Sequence, residues 1–208
     1  SKVREEIFLE TKLWPSFFER PTAVDETLER LGTDYIDLMI LHQPAGDTVA
    51  GYRILEKAHK EGKIRAIGLS NYEREHVEAV RAVATVAPHV LQVEAHPFFP
   101  NANLRAYAQG LGMVFEAWSP LARGRAITDP TLRAIGDELG VSAAQVTLRW
   151  AIDRGHVVFP KTLSSQRMAT NIDAFSFSLS PGQTARIDAL DEGEAGRTGS
   201  HPATMNRL

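Results

Sequence analysis

IDLMILH, residues 36–42, decides the fold. It is a short apolar run broken only by Asp37, it ends on a histidine, and a run of this length reads as a buried strand. Similar runs open near Ile7 (IFLETKL), Ile64 (IRAIGLS), Val90 (VLQVEA), Val114 (VFEAW) and Val157 (VVFPK). Their starts recur every 24 to 29 residues, and after 43 where two helical stretches, 129–139 and 142–154, intervene. Helical spacing fills other gaps: Val24, Leu28, Leu31; Val77, Val80, Ala84; and Leu104, Tyr107, Ala108, Leu111. Gly32, Gly62 and Gly155 stand where helices stop, and Ser180-Pro181 where one starts.

Strict alternation of strands and helices implies a parallel sheet, either closed as a barrel or doubly wound. The polar residues decide between them. Lys12, His42, Ser70 with Asn71, Gln92, Trp118 with Ser119, and Lys161 with Thr162 all fall at or near the C-terminal ends of their strands. In a barrel those ends converge on the face where active sites are built. The expected class is therefore α/β, a (β/α)8 TIM barrel forming a single domain over residues 1–208. Only about six of the eight βα units are counted in this chain, so the barrel is expected to be N-terminally incomplete. Such a chain, on its own, is expected to fold poorly because its sheet has two unpaired edges.

Composition narrows the partners. The 208 residues are 43% hydrophobic, enough for one buried core, and carry a formal net charge of −3 with no basic stripe, which argues against nucleic acid. There is no cysteine, so thiolate metal sites and disulfides are out, and no apolar stretch approaches a membrane span or signal core. A cytoplasmic protein with neither membrane nor nucleic-acid partner is expected.

Gly-rich phosphate loops, Walker sequences, His-Glu-x-x-His and Gly-x-Ser-x-Gly are absent. Glu94 and His96, two apart after a strand, have the residue types of metal ligands, but no third ligand is suggested nearby, so a hydrogen-bonded pair is expected and no metal. Lys12 and His42 each end an apolar run, where a titratable group must be paired, hydrated or functional.

The segments FLETKLW, LGTDYIDLMILHQP, GKIRAIGLSNY, QVEAHPFFP, EAWSPLARG and VVFPKTLSSQRMATNIDAFSF, in this order, resemble the successive strand-end motifs of the aldo-keto reductases, and most of all bacterial members of the diketogluconate reductase type. The resemblance implies an NADPH-dependent oxidoreductase that reduces a small aldehyde or ketone. Residue by residue, it places Lys12 and His42 as catalytic lysine and histidine, and Trp118 under the nicotinamide. It puts Ser70, Asn71 and Gln92 on the carboxamide, and Ser119, Leu121 and Arg123 in the loop over the pyrophosphate. Lys161, Thr162, Arg167 and Asn171 would hold the adenosine 2′-phosphate and adenine. Arg167 and Asn171, four apart, share one helix face, while Met168, Ile172 and Phe175 form an apolar stripe on another.

Two further members of the family's tetrad, an aspartate and the proton-donating tyrosine, belong in the family to the region preceding FLETKLW. Tyr35, Tyr52, Tyr72 and Tyr107 are poor replacements: the first starts a strand at the wrong end, and the others fall in or beside outer helices. Lys12 is then left with nothing to tune, and residues 1–208 alone are expected to reduce no carbonyl. Thr170 replaces an acid common near the adenine. Gln43 replaces a tryptophan of the substrate pocket, which favours a polar or small keto substrate; Trp14 is the remaining wall, with Phe17 and Phe18 in the next loop. Two rival readings stand beside the reductase. One is a noncatalytic NADPH-binding or regulatory module, which needs no tyrosine; the other is a phosphate-sugar barrel enzyme with no redox role.

Overall fold

The computed structural model describes residues 3–204, so the ends of the single domain expected over 1–208 lie outside the described residues. Six strands alternate with helices: β1 (Glu10–Leu13), α1 (Ala23–Leu31), β2 (Ile36–Leu41), α2 (Thr48–Lys60), β3 (Ile64–Ser70), α3 (Arg74–Arg81), β4 (Val90–Glu94), α4 (Ala102–Gly110), β5 (Val114–Trp118), α5 (Arg125–Thr128), α6 (Pro130–Leu139), α7 (Ala143–Ile152), β6 (His156–Val158), α8 (Ser165–Ile172) and α9 (Pro181–Asp188). The sheet order is β1-β2-β3-β4-β5-β6, and the pairings of β1, β2 and β3 with the next strand, and of β5 with β6, are parallel. This is the repeating strand and helix unit read from the sequence. Three helices, α5, α6 and α7, intervene before β6, the last two where the sequence places its two helical stretches.

The described residues divide into two compact units. One holds the chain up to Gln92 together with Tyr107–Val114 and the segment from Ser200; the other holds Val93–Ala106 and Phe115–Gly199.

In the first unit β2 is the keystone, with every residue buried, including Asp37. Water is denied to that carboxylate, and burial alone would favour its neutral form. Against burial, it accepts hydrogen bonds from the Leu9 amide (2.9 Å) and from Arg4 (2.8 Å), and pairs with Arg65 (2.9 Å), so its pKa lies below the ordinary aspartate value. Asp37 also explains a departure from the sequence reading. The first strand begins at Glu10, not Ile7, because the Leu9 amide is drawn to Asp37 while Ile7 and Phe8 are exposed. Gly68 is required where β3 lies against its neighbours: a Cβ there would sit 2.6 Å from the Val90 carbonyl oxygen and 3.0 Å from Ile40. Gly32 closes α1 in the left-handed conformation (φ 65°), the helix end expected from the sequence.

Glu10 on β1 and Gln92 on β4 are three strand spacings apart in the sheet order, about 14 Å along a flat sheet. Their side chains nevertheless meet at 2.7 Å. The sheet of this unit must therefore curl, bringing inward side chains of distant strands together as a barrel wall does.

The second unit is organised by α7, which buries most of its residues. Ser142 and Gln145 form a reciprocal cap at its start, and Trp150 near its end donates to Asp188 of α9 at 2.8 Å. Phe98, Leu132, Ile135, Val146 and Ile187 pack with Trp150 into one apolar cluster. The predicted start of α9 at Ser180-Pro181 is present, with Ser180 accepting from Gln183. Among the described residues no helix is long and apolar enough to cross a membrane.

Candidate active site and cofactor cleft

In the first unit the polar strand ends gather around β1 and β2. Lys12 lies on β1, and His42 follows β2, its amide held by the Leu13 carbonyl at 2.9 Å. Burial, and then the nearby Lys12 ammonium, push the His42 imidazole below its ordinary value, so it is neutral at pH 7. Trp14 stands edge-on to the imidazole with ring centroids 4.9 Å apart. Gln43, next to His42, is half-buried. Ser70 ends β3, and Asn71 after it takes a left-handed backbone (φ 64°) that asparagine tolerates better than most residues. From there its amide donates to the His42 carbonyl at 3.0 Å and to Ser70 Oγ at 3.2 Å, while its backbone amide donates to the Gln92 carbonyl at 2.9 Å. Lys12, His42, Ser70, Asn71 and Gln92 thus belong to one neighbourhood.

Lys12 has beside it a carboxylate that the sequence reading did not single out: Glu10, two residues earlier on the same face of β1, lies 3.4 Å from its ammonium. The alternation Glu-Thr-Lys carried that signal in the sequence. Phe18 is no pocket wall, being fully buried against Gly51 of α2; Phe17 lies under the Arg20 guanidinium instead.

Three of the four tyrosines are shifted upward, away from the range that a neutral-pH proton donor needs. Burial raises the Tyr52 and Tyr72 phenols, and burial with the neighbouring Glu78 raises Tyr107. Tyr52 donates to the Val86 carbonyl and Tyr107 to Glu78, while the Tyr35 ring is clasped between Arg4 and Arg65. These are structural duties.

In the second unit a cavity of about 610 Å³ is lined by the loop after β5 and by the segment from β6 into α8. Ser119, Leu121 and Arg123 contribute from the first element, and Lys161, Thr162, Arg167 and Asn171 from the second. Every residue expected at the pyrophosphate and 2′-phosphate end is therefore on one wall set, joined by Thr170 and by Gln166, which the sequence reading missed. No carboxylate lines the cavity, whereas three cations do, and among the described residues none of the three makes an ion pair. Ser164 caps α8 by accepting from the Arg167 amide, so the helix start also faces this region. The β5 loop is strained: Ser119, Ala122 and Arg123 all have positive φ (51°, 48° and 54°), which costs non-glycine residues on the order of 1 kcal/mol each. Trp118 ends β5, half-buried, and its ring lies against the backbone of Gly199.

The apolar stripe expected on α8 exists but is not core. Met168, Ile172 and Phe175 are largely exposed and line a second, apolar hollow of about 520 Å³ with Leu148, Ile152 and Val158. No residue of α8 is buried, and the helix packs against α7.

Glu94 and His96 form the expected pair, Nε2 to Oε1 at 3.0 Å, both side chains buried. Burial opposes ionisation of Glu94, but hydrogen bonds from His96, from the Thr198 hydroxyl and amide, and from the Gly199 amide outweigh it and hold the carboxyl down at about 2. The pair is thus a clamp for the segment around Thr198, a role with no signal in the local sequence because 104 residues separate the partners. Among the described residues no group of three or more histidine, aspartate or glutamate side chains is placed to hold a metal ion.

The family model described as the Aldo/keto reductase family matches residues 1–192. This chain belongs to the aldo/keto reductase family. It is similar to glyoxal reductase of Bacillus subtilis (40% identical over 203 residues, 96% of this chain and 73% of that protein). It superposes on Gox0644, solved as a mutant in complex with NADPH, with a TM-score of 0.93 at 32% identity, covering 98% of this chain and 77% of the other. A putative 2,5-diketo-D-gluconic acid reductase B gives a TM-score of 0.89 at 32% identity over 95% of this chain and 72% of the other, in keeping with the resemblance read from the motifs. The six-stranded parallel sheet is accordingly the aldo/keto reductase barrel fold over the part this chain covers, and the family is one of oxidoreductases.

Proposed function

We propose that this aldo/keto reductase chain binds NADPH and serves the reduction of small aldehydes or ketones. The observation that carries the proposal is the acid-free, three-cation cavity between the β5 loop and α8. Such a wall suits phosphate dianions, and the planar guanidinium of Arg167 suits two phosphate oxygens at once. The residues present fit the cofactor. In this reading Arg167 and Lys161 meet the 2′-phosphate, Thr162 and Asn171 the adenosine, and Ser119, Leu121 and Arg123 the pyrophosphate. Trp118 offers its face to the nicotinamide, and Ser70, Asn71 and Gln92 take the carboxamide. The bound cofactor supplies hydride.

The chain's own part in the chemistry is polar. His42, neutral at pH 7, orients and polarises a carbonyl by hydrogen bonding, and Lys12 provides fixed positive charge beside it. Trp14 and Gln43 border the carbonyl site, and the amide of Gln43 favours a polar or small keto compound over a bulky apolar one. A cysteine-free chain suits the reducing cytoplasm.

The tyrosines support a second reading, a noncatalytic NADPH-binding or regulatory module, because the Tyr52, Tyr72 and Tyr107 phenols are raised and the Tyr35 ring is clasped between Arg4 and Arg65. Turnover of an aldehyde panel separates the two. The cofactor assignment itself is tested by titrating NADPH and NADH against the wild type and Arg167→Ala. The wild type should prefer NADPH, and the variant should lose about tenfold in NADPH affinity, the worth of one charged hydrogen bond at an exposed site, with NADH unchanged. Equal affinity of the wild type for both cofactors would refute the assignment.

A further inference from the structure

Gly199 is wedged between two side chains at neighbouring strand ends. Glu94 ends β4 and Trp118 ends β5, and the Ala95 amide donates to the Trp118 carbonyl at 3.5 Å, all within the second unit. The Gly199 amide donates to Glu94 Oε2 at 2.9 Å. A Cβ added to Gly199 would stand 3.0 Å from that oxygen and 2.4 Å from Cη2 of the Trp118 indole, so the backbone comes this near only because glycine has no side chain. The other oxygen of Glu94 holds the preceding residue: Oε1 accepts from the Thr198 amide at 2.7 Å, from the Thr198 hydroxyl at 2.5 Å and from His96 Nε2 at 3.0 Å. Cη2 is the indole atom farthest from the backbone and travels farthest when the ring turns about its side-chain torsions. A stop at that corner therefore restrains the half-buried ring more than the same contact nearer its Cβ would.

We propose that Glu94 is a positioning residue: by holding Thr198 and Gly199 against the outer corner of Trp118, it fixes the indole as the platform for a nicotinamide ring. The proposal rests on the reading of Trp118 as the face under the nicotinamide, and it gives that face a support from a distant part of the chain. With the segment loosened, the indole is ordered by the ligand instead of beforehand, and ordering one large side chain on binding weakens affinity about threefold to tenfold. The loss falls on the nicotinamide half of the cofactor, because neither Glu94 nor Gly199 lines the cavity that holds Lys161 and Arg167.

The test compares NADP⁺ with adenosine 2′,5′-bisphosphate, which lacks the nicotinamide half, as ligands of the protein at its natural length. Glu94→Gln should weaken NADP⁺ about threefold to tenfold and leave the bisphosphate within about twofold of the wild type. Gly199→Ala should do the same, since the carboxylate behind it leaves the new methyl group no way but toward the indole; it decides if Glu94→Gln does not fold. Trp118→Phe removes the outer corner of the ring, so on that background Gly199→Ala should cost nothing further, whereas general damage to the fold would add to the first loss. An unchanged ratio of the two affinities in either folded variant, or losses that multiply in the double variant, overturns the proposal while leaving the cofactor reading intact. Trp118→Ala tests the reading beneath it: if NADP⁺ affinity is unchanged, the nicotinamide does not sit on this ring and both fall.

Discussion

His156 offers a stability test whose size can be worked from its surroundings. It opens β6, is 5% exposed, and packs against the Phe115 ring at 5.0 Å and edge-on to Trp150 at 6.1 Å. Its Nδ1 is buried without a hydrogen-bond partner. Burial first, and then the charges of Arg105 and Arg154, lower its pKa from 6.5 to about 4. Above pH 6.5 the imidazole is neutral in both the folded and the unfolded chain and contributes nothing to the pH dependence. Between 6.5 and about 4 the unfolded chain takes up a proton that the folded chain refuses, so stability falls as the pH falls. At pH 4.5 the linkage amounts to about 2 kcal/mol relative to pH 7. His156→Phe keeps an aromatic ring in an apolar site and removes the titration. Urea unfolding of both proteins at pH 7 and pH 4.5 should show the variant losing about 2 kcal/mol less than the wild type, because the carboxylates common to both cancel in the difference. Equal acid sensitivity of the two proteins, or an imidazole titrating near 6.5 by NMR, would falsify this account of the site.

Glu94→Gln should loosen the segment around Thr198, because the amide brings a donor to a place where four donors already converge. The stabilisation held by the ionised Glu94 is present above pH 4.5 and lost as the pH falls toward 2. A loss of about 2 kcal/mol would speed hydrogen exchange at the Thr198 and Gly199 amides about 30-fold at pH 7; unchanged exchange would mean that the clamp is not what orders them. Lys12→Met, in the protein at its natural length, should lower carbonyl turnover about 100-fold or more with NADPH affinity changed less than about threefold. Normal turnover would remove Lys12 from the chemistry.

Much of this molecule could be read from local pattern. Apolar runs spaced at supersecondary intervals were enough for the parallel α/β sheet, since a strand buried on both faces must be apolar along its length and a crossover needs its helix. Ser180-Pro181 and Gly32 marked helix ends because caps are chemistry between near neighbours. That Arg167, Asn171 and Lys161 line one cavity has the same ground: four residues apart on a helix, or just before its start, is a local relation. What the tertiary structure decided was every contact made across the sheet or across long stretches of chain. The Leu9 amide turned to the Asp37 carboxylate while its carbonyl still accepts from the Leu38 amide, and the first strand opened at Glu10. Met168, Ile172 and Phe175 had the spacing of a core stripe, but exposure depends on which neighbours stand opposite, and that is no property of a helix alone. Glu94 found Thr198 across 104 residues and Glu10 found Gln92 across 82, because a curled sheet brings inward side chains together irrespective of their separation along the chain.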